Sequence, residues 1–157
     1  ENLTIRRSDY ININDGFIGT YMHNVEKYNM GKIGVILSVK TDLEMLKISD
    51  FIKRICLQIA ATNPISISTS DINETILTKE KEFQLEEIKK SGKDQSIQDK
   101  ILEGKLKKYF KEVVLLEQNF VIDDSVTISQ YIENTSNELG KKITIEKFVR
   151  FKVGEII

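Results

Sequence analysis

One cysteine and one histidine, Cys56 and His23, are the residue types in this sequence that could form a nucleophile and its base. Nucleophilic catalysis needs both groups within hydrogen-bond reach. Cys56 lies beside isoleucines that recur at helical spacing, which is typical of an inert, buried thiol. His23 follows Tyr21 and Met22 at a strand end, where a histidine is more often a surface residue than a catalyst. We therefore reject a cysteine hydrolase and keep His23 as a contact residue.

The sequence excludes phosphate, metal and acid–base sites, because of the spacing of its glycines and carboxylates and its single Cys and His. The glycines in Gly31–Gly34 are too close for a P-loop, and they precede a strand rather than the helix N-terminus that phosphate binding needs. A single Cys and a single His rule out cysteine-cluster and His-rich metal sites. No two carboxylates have a recognisable acid–base spacing. The sequence predicts no enzyme active site, no cofactor and no metal ion.

The composition is that of an ordinary globular domain. The 157 residues are 40% hydrophobic and 30% charged, with a formal net charge of −1. This balance does not favour nucleic acid as a partner. No apolar run approaches the roughly 20 residues of a membrane helix. The start lacks an initiator methionine and a signal sequence, so we expect a soluble fragment from a reducing compartment.

The N-terminal third predicts an antiparallel meander. Strands are expected at Leu3–Ile5 and Tyr10–Ile13, then at Phe17–His23 and Gly31–Val39. An Asp-Gly pair at Asp15 and Gly16 predicts the tight turn before the third strand, and a polar loop is expected over 24–30.

A helix is expected from Thr41 to about Ala61. The sequence Thr41–Glu44 fits a capping box, and Asn63 followed by Pro64 ends the pattern. Four isoleucines recur at spacings of four, three and four and form one stripe for packing on the sheet, namely Ile48, Ile52, Ile55 and Ile59.

Segment 71–112 is rich in Lys and Glu and predicts a projecting helical hairpin that turns at Ser91–Lys93. The second arm carries an apolar face of Leu102, Leu106, Tyr109 and Val113, and the first a less regular one of Ile72, Ile76, Phe83 and Ile88. Gly104 inside the second arm predicts a close helix approach.

β character is expected to return after the hairpin, at 113–116 and 118–122. Thr127–Gln130 is a second capping box, and Gly140 is placed to end its helix. A final strand is expected, with apolar residues on one face and polar residues on the other. The apolar residues are Ile143, Ile145, Val149, Phe151 and Val153.

These patterns predict an α+β fold, in which a small antiparallel sheet packs with helices and an antiparallel helical hairpin, a coiled coil, is inserted. The predicted core is formed by 1–62 and 113–157, and the predicted hairpin by 63–112.

The sequence resembles the elongation factor Ts family over its whole length. The ordered set of similar segments is more specific than any one of them. It comprises Glu1–Arg7, Gly19–His23, Gly31–Val35, Gln58–Ala61 with Pro64, Leu102–Lys105, Glu117–Ile122 and Phe148–Glu155.

The resemblance implies a guanine-nucleotide exchange factor that binds elongation factor Tu and promotes GDP release, in the cytoplasm. It implies that the core contacts Tu and that the hairpin is a dimerisation module, with a homodimer as a further assembly. The family's Tyr-x-His contact corresponds to Tyr21 and His23, and the apolar pair after its Gln-Pro-Phe to Val121 and Ile122. The partner-binding residues that the resemblance implies are these four with Gly19 and Phe120.

The departures from the family bear on mechanism. The family's helical N-terminal module and its Thr-Asp-Phe-Val wedge would precede Glu1, so we expect this chain to dock and self-associate. Lys40–Leu43 is similar to the wedge, but Leu43 replaces its Phe, and the capping box explains Thr41 and Asp42 locally. Asn119 replaces the family's usual Pro, and Ile156 its Gly. The alternative from another class is a structural self-association module without exchange activity.

Overall fold

The computed structural model describes residues 4–28, 30–90 and 94–156. These residues form five strands and four helices, which are, in order, β1 (Phe17–Lys27), β2 (Met30–Lys40), α1 (Met45–Thr62), α2 (Glu74–Lys89), α3 (Gln95–Val113), β3 (Asn119–Phe120), β4 (Asp123–Thr127), α4 (Ile128–Leu139) and β5 (Thr144–Lys152). The chain divides into two compact units, Glu1–Asn63 with Ile132–Ile157, and Pro64–Tyr131. The mixture of helices with small antiparallel sheets confirms the predicted α+β class.

The first unit contains a three-stranded antiparallel sheet in the order β1–β2–β5. Alternate residues of β2, Val35, Leu37 and Val39, are buried against α1. The four isoleucines of the predicted stripe on α1 are all buried. The helix ends where predicted, because Asn63 takes a left-handed conformation and its N–H donates to the Ile59 carbonyl at 3.1 Å.

The start of α1 differs from the prediction. The helix begins at Met45 with Glu44 as its N-cap residue, and no side chain caps it. The Thr41 Oγ1 instead accepts a hydrogen bond from the Leu43 N–H at 3.3 Å, which is a local turn before the helix. The predicted capping box at Thr41–Glu44 is therefore wrong.

The meander predicted for the N-terminal third is also wrong in its first half. Thr4, Ile5 and residues 10–13 have no regular secondary structure, and Leu3 lies outside the described residues. The predicted polar loop over 24–30 is mostly strand, because β1 continues to Lys27 and β2 begins at Met30. The hairpin of the sheet is therefore β1–β2, while the bend at Asp15 and Gly16 leads into β1 from an irregular segment.

β5 does not keep one apolar face. Ser38 pairs with Lys147 but Val39 pairs with Ile145, so the register shifts by one residue in a β-bulge. Beyond the bulge, Phe148 and Arg150 lie on the α1 side of the sheet, while Val149 and Phe151 lie on the opposite side. The predicted alternation is wrong for this physical reason. Arg150 confirms the new orientation, because its Nε donates to the Ala60 carbonyl of α1 at 3.3 Å.

The second unit contains the antiparallel pair α2 and α3. Lys105 Nζ lies 3.1 Å from a Glu87 carboxylate oxygen, and burial followed by the charge of Glu80 raises the pKa of Tyr109. These contacts pair later residues of α3 with earlier residues of α2, as a hairpin requires. The predicted turn at Ser91–Lys93 lies outside the described residues, and the coiled-coil detail stays a prediction.

Two details of the hairpin differ from expectation. Among the described residues, a Cβ atom on Gly104 would meet nothing within 4 Å, so the predicted close helix approach at this glycine is wrong. Ile76 and Phe83 of α2 are exposed, whereas Ile72 and Ile88 are buried. The four residues of the second arm's predicted apolar face are half-buried.

The second capping box is confirmed. The Thr127 Oγ1 accepts from the Gln130 N–H at 3.2 Å, and the Gln130 Oε1 accepts from the Thr127 N–H at 2.9 Å. Gly140 ends α4 at a φ of 68°, and the Lys141 N–H reaches back to the Ser136 carbonyl at 3.2 Å. The predicted strand over 113–116 is instead the end of α3, a bridge from Val114 to Ser66 and a 3-10 turn at Leu115–Glu117.

Candidate partner-binding surfaces

Tyr21 and His23 form a pair on β1. Residues two apart on a strand point to the same side, and the Tyr21 hydroxyl lies 3.2 Å from His23 Nδ1. Their ring centroids are 6.2 Å apart. His23 is exposed and Tyr21 is half-buried. The strand therefore presents a hydroxyl and an imidazole in a fixed arrangement at the surface of the first unit.

Gly19 holds this strand against the helix. It is buried, and a Cβ atom on it would lie 2.0 Å from Ile52 Cγ2 and 3.5 Å from Cys56 Sγ. A side chain would therefore push β1 away from α1. In this structure Gly19 positions Tyr21 and His23 and presents no side chain of its own.

The β3–β4 turn carries the other predicted residues, in the second unit. Phe120 is only 2% exposed and stacks on Tyr131 at a centroid distance of 4.3 Å. Val121 and Ile122 follow it, each 48% exposed. The buried Phe120 ring anchors a corner whose tip is apolar.

A carboxylate borders that tip. The Ser125 hydroxyl and then the Ser125 N–H, which both donate to Asp123 Oδ1, hold the pKa of Asp123 below its ordinary value. The turn therefore presents two aliphatic side chains followed by a negative charge.

The sequence analysis missed an exposed apolar group at the far end of the β1–β2 hairpin. Val25, Tyr28 and Met30 are all exposed, Tyr28 to 90%. A polar loop was predicted there, yet three large apolar side chains in such a segment were the signal that could have indicated a contact surface.

The remaining candidates do not form a reactive site. Burial raises the pKa of the Cys56 thiol to about 12, which makes its thiolate scarce at neutral pH. Leu43, in the wedge-like segment, is buried, and Thr41 is bonded to the Leu43 N–H. Within 4–28, 30–90 and 94–156, no group of three or more His, Cys, Asp or Glu side chains could hold a metal ion. None of the helices described has the length and apolarity to cross a membrane.

The structure thus describes an α+β protein with a helical hairpin, and its clearest surface features are side chains on strands and turns. The profile of the Elongation factor TS family matches residues 1–155, so the chain belongs to that family. Membership places it among the translation elongation factors of protein biosynthesis.

Curated relatives agree with this assignment. The Elongation factor Ts of Rickettsia bellii (strain OSU 85-389) and that of Rickettsia felis (strain ATCC VR-1525 / URRWXCal2) are each 38% identical over 156 residues. These matches cover 99% of this chain and 50% of each relative, so the chain spans about half the length of the curated relatives it matches.

Proposed function

We propose that the protein acts in the cytoplasm as a guanine-nucleotide exchange factor for elongation factor Tu, and that this chain supplies part of the docking surface. Family membership supports the partner and the activity. The observation that carries the docking role is the pair of the half-buried Tyr21 and the exposed His23, with 3.2 Å between the Tyr21 hydroxyl and His23 Nδ1.

The pair suits docking because it is held in place before binding. β1 pairs with β2 from Phe17 to Lys27, and Gly19 lets it lie directly against Ile52 of α1. A rigid surface loses less conformational entropy on association than a mobile one. Tyrosine is also among the residues enriched at the energetic centres of interfaces.

The β3–β4 turn supplies a second contact in this proposal. Val121 and Ile122 are half exposed above the buried Phe120, so a partner would remove apolar surface from water without refolding the turn. The carboxylate of Asp123 would border that contact and favour a partner surface with a basic group.

Exchange needs no bond-making residue. A partner that binds the nucleotide-free form of Tu more tightly than the GDP form must weaken GDP binding by the same free energy, typically about 1–3 kcal/mol. The wedge-like segment of this chain has Leu43 buried, so it offers no apolar side chain to insert into Tu. We therefore propose that this chain binds Tu and accelerates GDP release little.

Two measurements on the same samples test this proposal. Calorimetric titration of Tu with the chain should show binding, and release of a fluorescent GDP analogue from Tu should be accelerated far less than by a full-length family member. Absence of binding would overturn the docking role. Full acceleration by this chain would contradict the restriction to docking and would point to Asp42, which is exposed beside Leu43.

A second candidate function is self-association through the hairpin. Ile76 and Phe83 are seven residues apart on α2, so they share a helix face, and both are exposed, as is Ile97 on α3. Burying these side chains against a second copy would form a homodimer.

Sedimentation velocity over a range of concentrations tests the second candidate. Phe83→Asp should shift a dimer to monomer, whereas Thr78→Asp, an equal change of charge at another exposed position of α2, should not. A wild-type chain that stays monomeric at every concentration would remove this candidate.

A further inference from the structure

The helix α1 covers only part of the sheet face on which it packs. Three β2 residues of that face are at most 1% exposed, namely Val35, Leu37 and Val39. Arg150, which pairs with Val35, donates from its Nε to the Ala60 carbonyl near the end of α1. Ile33, the next β2 residue on the same face, is only half-buried. The helix therefore ends over the row of Val35 and leaves the next row open to solvent.

The uncovered row crosses the sheet from His23 through Ile33 to Lys152. Ile33 pairs in register with His23 of β1 and with Lys152 of β5, so the three side chains lie on the α1 side of the sheet. His23 and Lys152 are both exposed. Neighbouring strands lie about 4.8 Å apart, which places the backbones of His23 and Lys152 about 10 Å from each other. The row thus presents an imidazole, an aliphatic side chain and an ammonium group in line.

Val25 extends the same face along β1. It pairs with Gly31 in the register that pairs His23 with Ile33, so it lies on the same side of the strand as Tyr21 and His23. Val25 is 61% exposed, and Gly31 offers no side chain to cover it from the neighbouring strand. The uncovered face therefore continues from the row of His23 to an exposed aliphatic side chain.

Lys152 gives this face a charge that the chain itself does not compensate. The ion pairs among the described residues do not include Lys152, whereas its neighbour Arg150 lies 3.3 Å from a Glu155 carboxylate oxygen. Removing an ammonium group from water is unfavourable unless an opposite charge pairs with it. A protein that covers Ile33 and Lys152 must therefore bring an acidic side chain to the ammonium group.

We propose that Val25, Ile33 and Lys152 complete the surface that docks on elongation factor Tu, and that Lys152 pairs there with a carboxylate of Tu. Continuity identifies the occupant, since His23 belongs both to this row and to the Tyr21–His23 pair. The role of the three residues rests on the proposed function, which assigns only Tyr21 and His23 to this face. Tu must accordingly offer an apolar patch bordered by an acidic group.

Charge variants at Lys152 test the ion pair by calorimetric titration of Tu with the full chain. Lys152→Glu should weaken binding about tenfold, because an attraction becomes a repulsion. Lys152→Arg keeps the charge and should bind within about twofold of the wild type. Lys32→Glu makes the same charge change at an exposed position beside Ile33 on the opposite face of the sheet, and should have no effect. Added salt should weaken binding of the wild type more than that of Lys152→Glu.

Valine substitutions test the apolar part of the surface. Val25→Ala should weaken Tu binding about threefold to tenfold, because less apolar surface is removed from water on docking. Val153→Ala removes the same atoms at another exposed position, which lies toward the opposite face of the sheet, and should change the affinity by less than about twofold. Both variants should keep the thermal midpoint of the wild type, since both side chains are exposed.

The same titrations distinguish failure of this extension from failure of the proposed function. Equal effects of Lys152→Glu and Lys32→Glu would overturn the ion pair, and unchanged binding of Val25→Ala would overturn the apolar contact. If His23→Ala still weakens binding in those cases, the proposed function stands. Absence of Tu binding by the wild-type chain would overturn both. If Lys152→Glu lowers the thermal midpoint, Lys152→Gln replaces it, with an expected loss of about threefold.

Discussion

Gly19 of β1 packs against Ile52 of α1 so closely that only glycine fits there. A Cβ atom on Gly19 would lie 2.0 Å from Ile52 Cγ2. This contact fixes β1 on α1. Tyr21 and His23 follow Gly19 at intervals of two residues, so they lie on the same side of β1. His23 Nδ1 is 3.2 Å from the Tyr21 hydroxyl. The packing contact of Gly19 and the Tyr21–His23 pair therefore belong to one side of one strand.

Gly19→Ala should destabilise the protein by about 1–3 kcal/mol, because the added methyl group overpacks the contact between β1 and α1. Chemical denaturation measures the loss. Gly104→Ala is the matched control, since a Cβ there meets nothing within 4 Å and alanine is the better helix former by about 1 kcal/mol. A Gly19→Ala protein as stable as the wild type would show that α1 and β1 adjust without cost.

The sequence predicted the features that depend on neighbours along the chain. The isoleucine stripe of α1 and the capping box at Thr127 and Gln130 are set by helical spacing and by a four-residue motif, and both are confirmed. The bulge at Glu146 was not predictable in this way, because it depends on how β5 pairs with β2. A one-residue shift in that pairing turned Arg150 toward α1 and Phe151 toward the opposite face of the sheet.

The candidate surfaces also divide into features that depend on neighbours along the chain and features that depend on the fold. The Tyr21–His23 pair was indicated by the family resemblance, and strand alternation is enough to place both side chains on one side of β1. The contacts of Arg7 with Phe151 and Glu155 could not be predicted, because these residues are far apart in the sequence and are brought together only by the fold. The apolar end of the β1–β2 hairpin was missed since the turn was placed at Asp15 and Gly16 instead of after Lys27.

Glu155→Gln should destabilise the first unit by about 1–3 kcal/mol. The Glu155 carboxylate accepts from Arg7 and, at 3.3 Å, from Arg150, whose side chain is only 8% exposed. Removing the negative charge leaves the buried guanidinium without a counter-charge. Urea unfolding at low salt measures the difference.

The control for Glu155→Gln is Glu26→Gln. Glu26 and Lys32 lie 3.8 Å apart and are both exposed, so loss of this pair should change stability by less than about 1 kcal/mol. Equal effects of the two substitutions would show that burial of Arg150 adds nothing to the Glu155 interaction.

Cys56 should be unreactive in the folded protein and should make stability fall at alkaline pH. Burial raises the pKa of its thiol from 9.0 to about 12, so the unfolded chain loses this proton first. The stabilisation is fully present below pH 9.0 and decreases as the pH rises from there toward about 12. A disulfide reagent at pH 8 should label Cys56 only after denaturant is added.

Cys56→Ala is the control for this pH dependence. Its stability should decrease less between pH 9 and 11 than that of the wild type, because alanine has no proton to lose. Rapid labelling of the native protein, or identical pH profiles for the two proteins, would contradict the burial of the thiol.

His23→Ala and Val121→Asp should each weaken binding to elongation factor Tu by about 1–2 kcal/mol while the thermal midpoint stays nearly unchanged, because both residues are exposed contact residues in the proposed function. Titration calorimetry measures the affinity and a thermal melt the stability. The controls are Glu26→Ala, on the same strand as His23, and Asp124→Ala, in β4, both at exposed positions. They should change the affinity for Tu by less than about twofold, since most surface substitutions away from a contact have little effect. If His23→Ala and Val121→Asp lower the midpoint instead, these residues belong to the core. If they change neither quantity, Tu binds elsewhere on the chain.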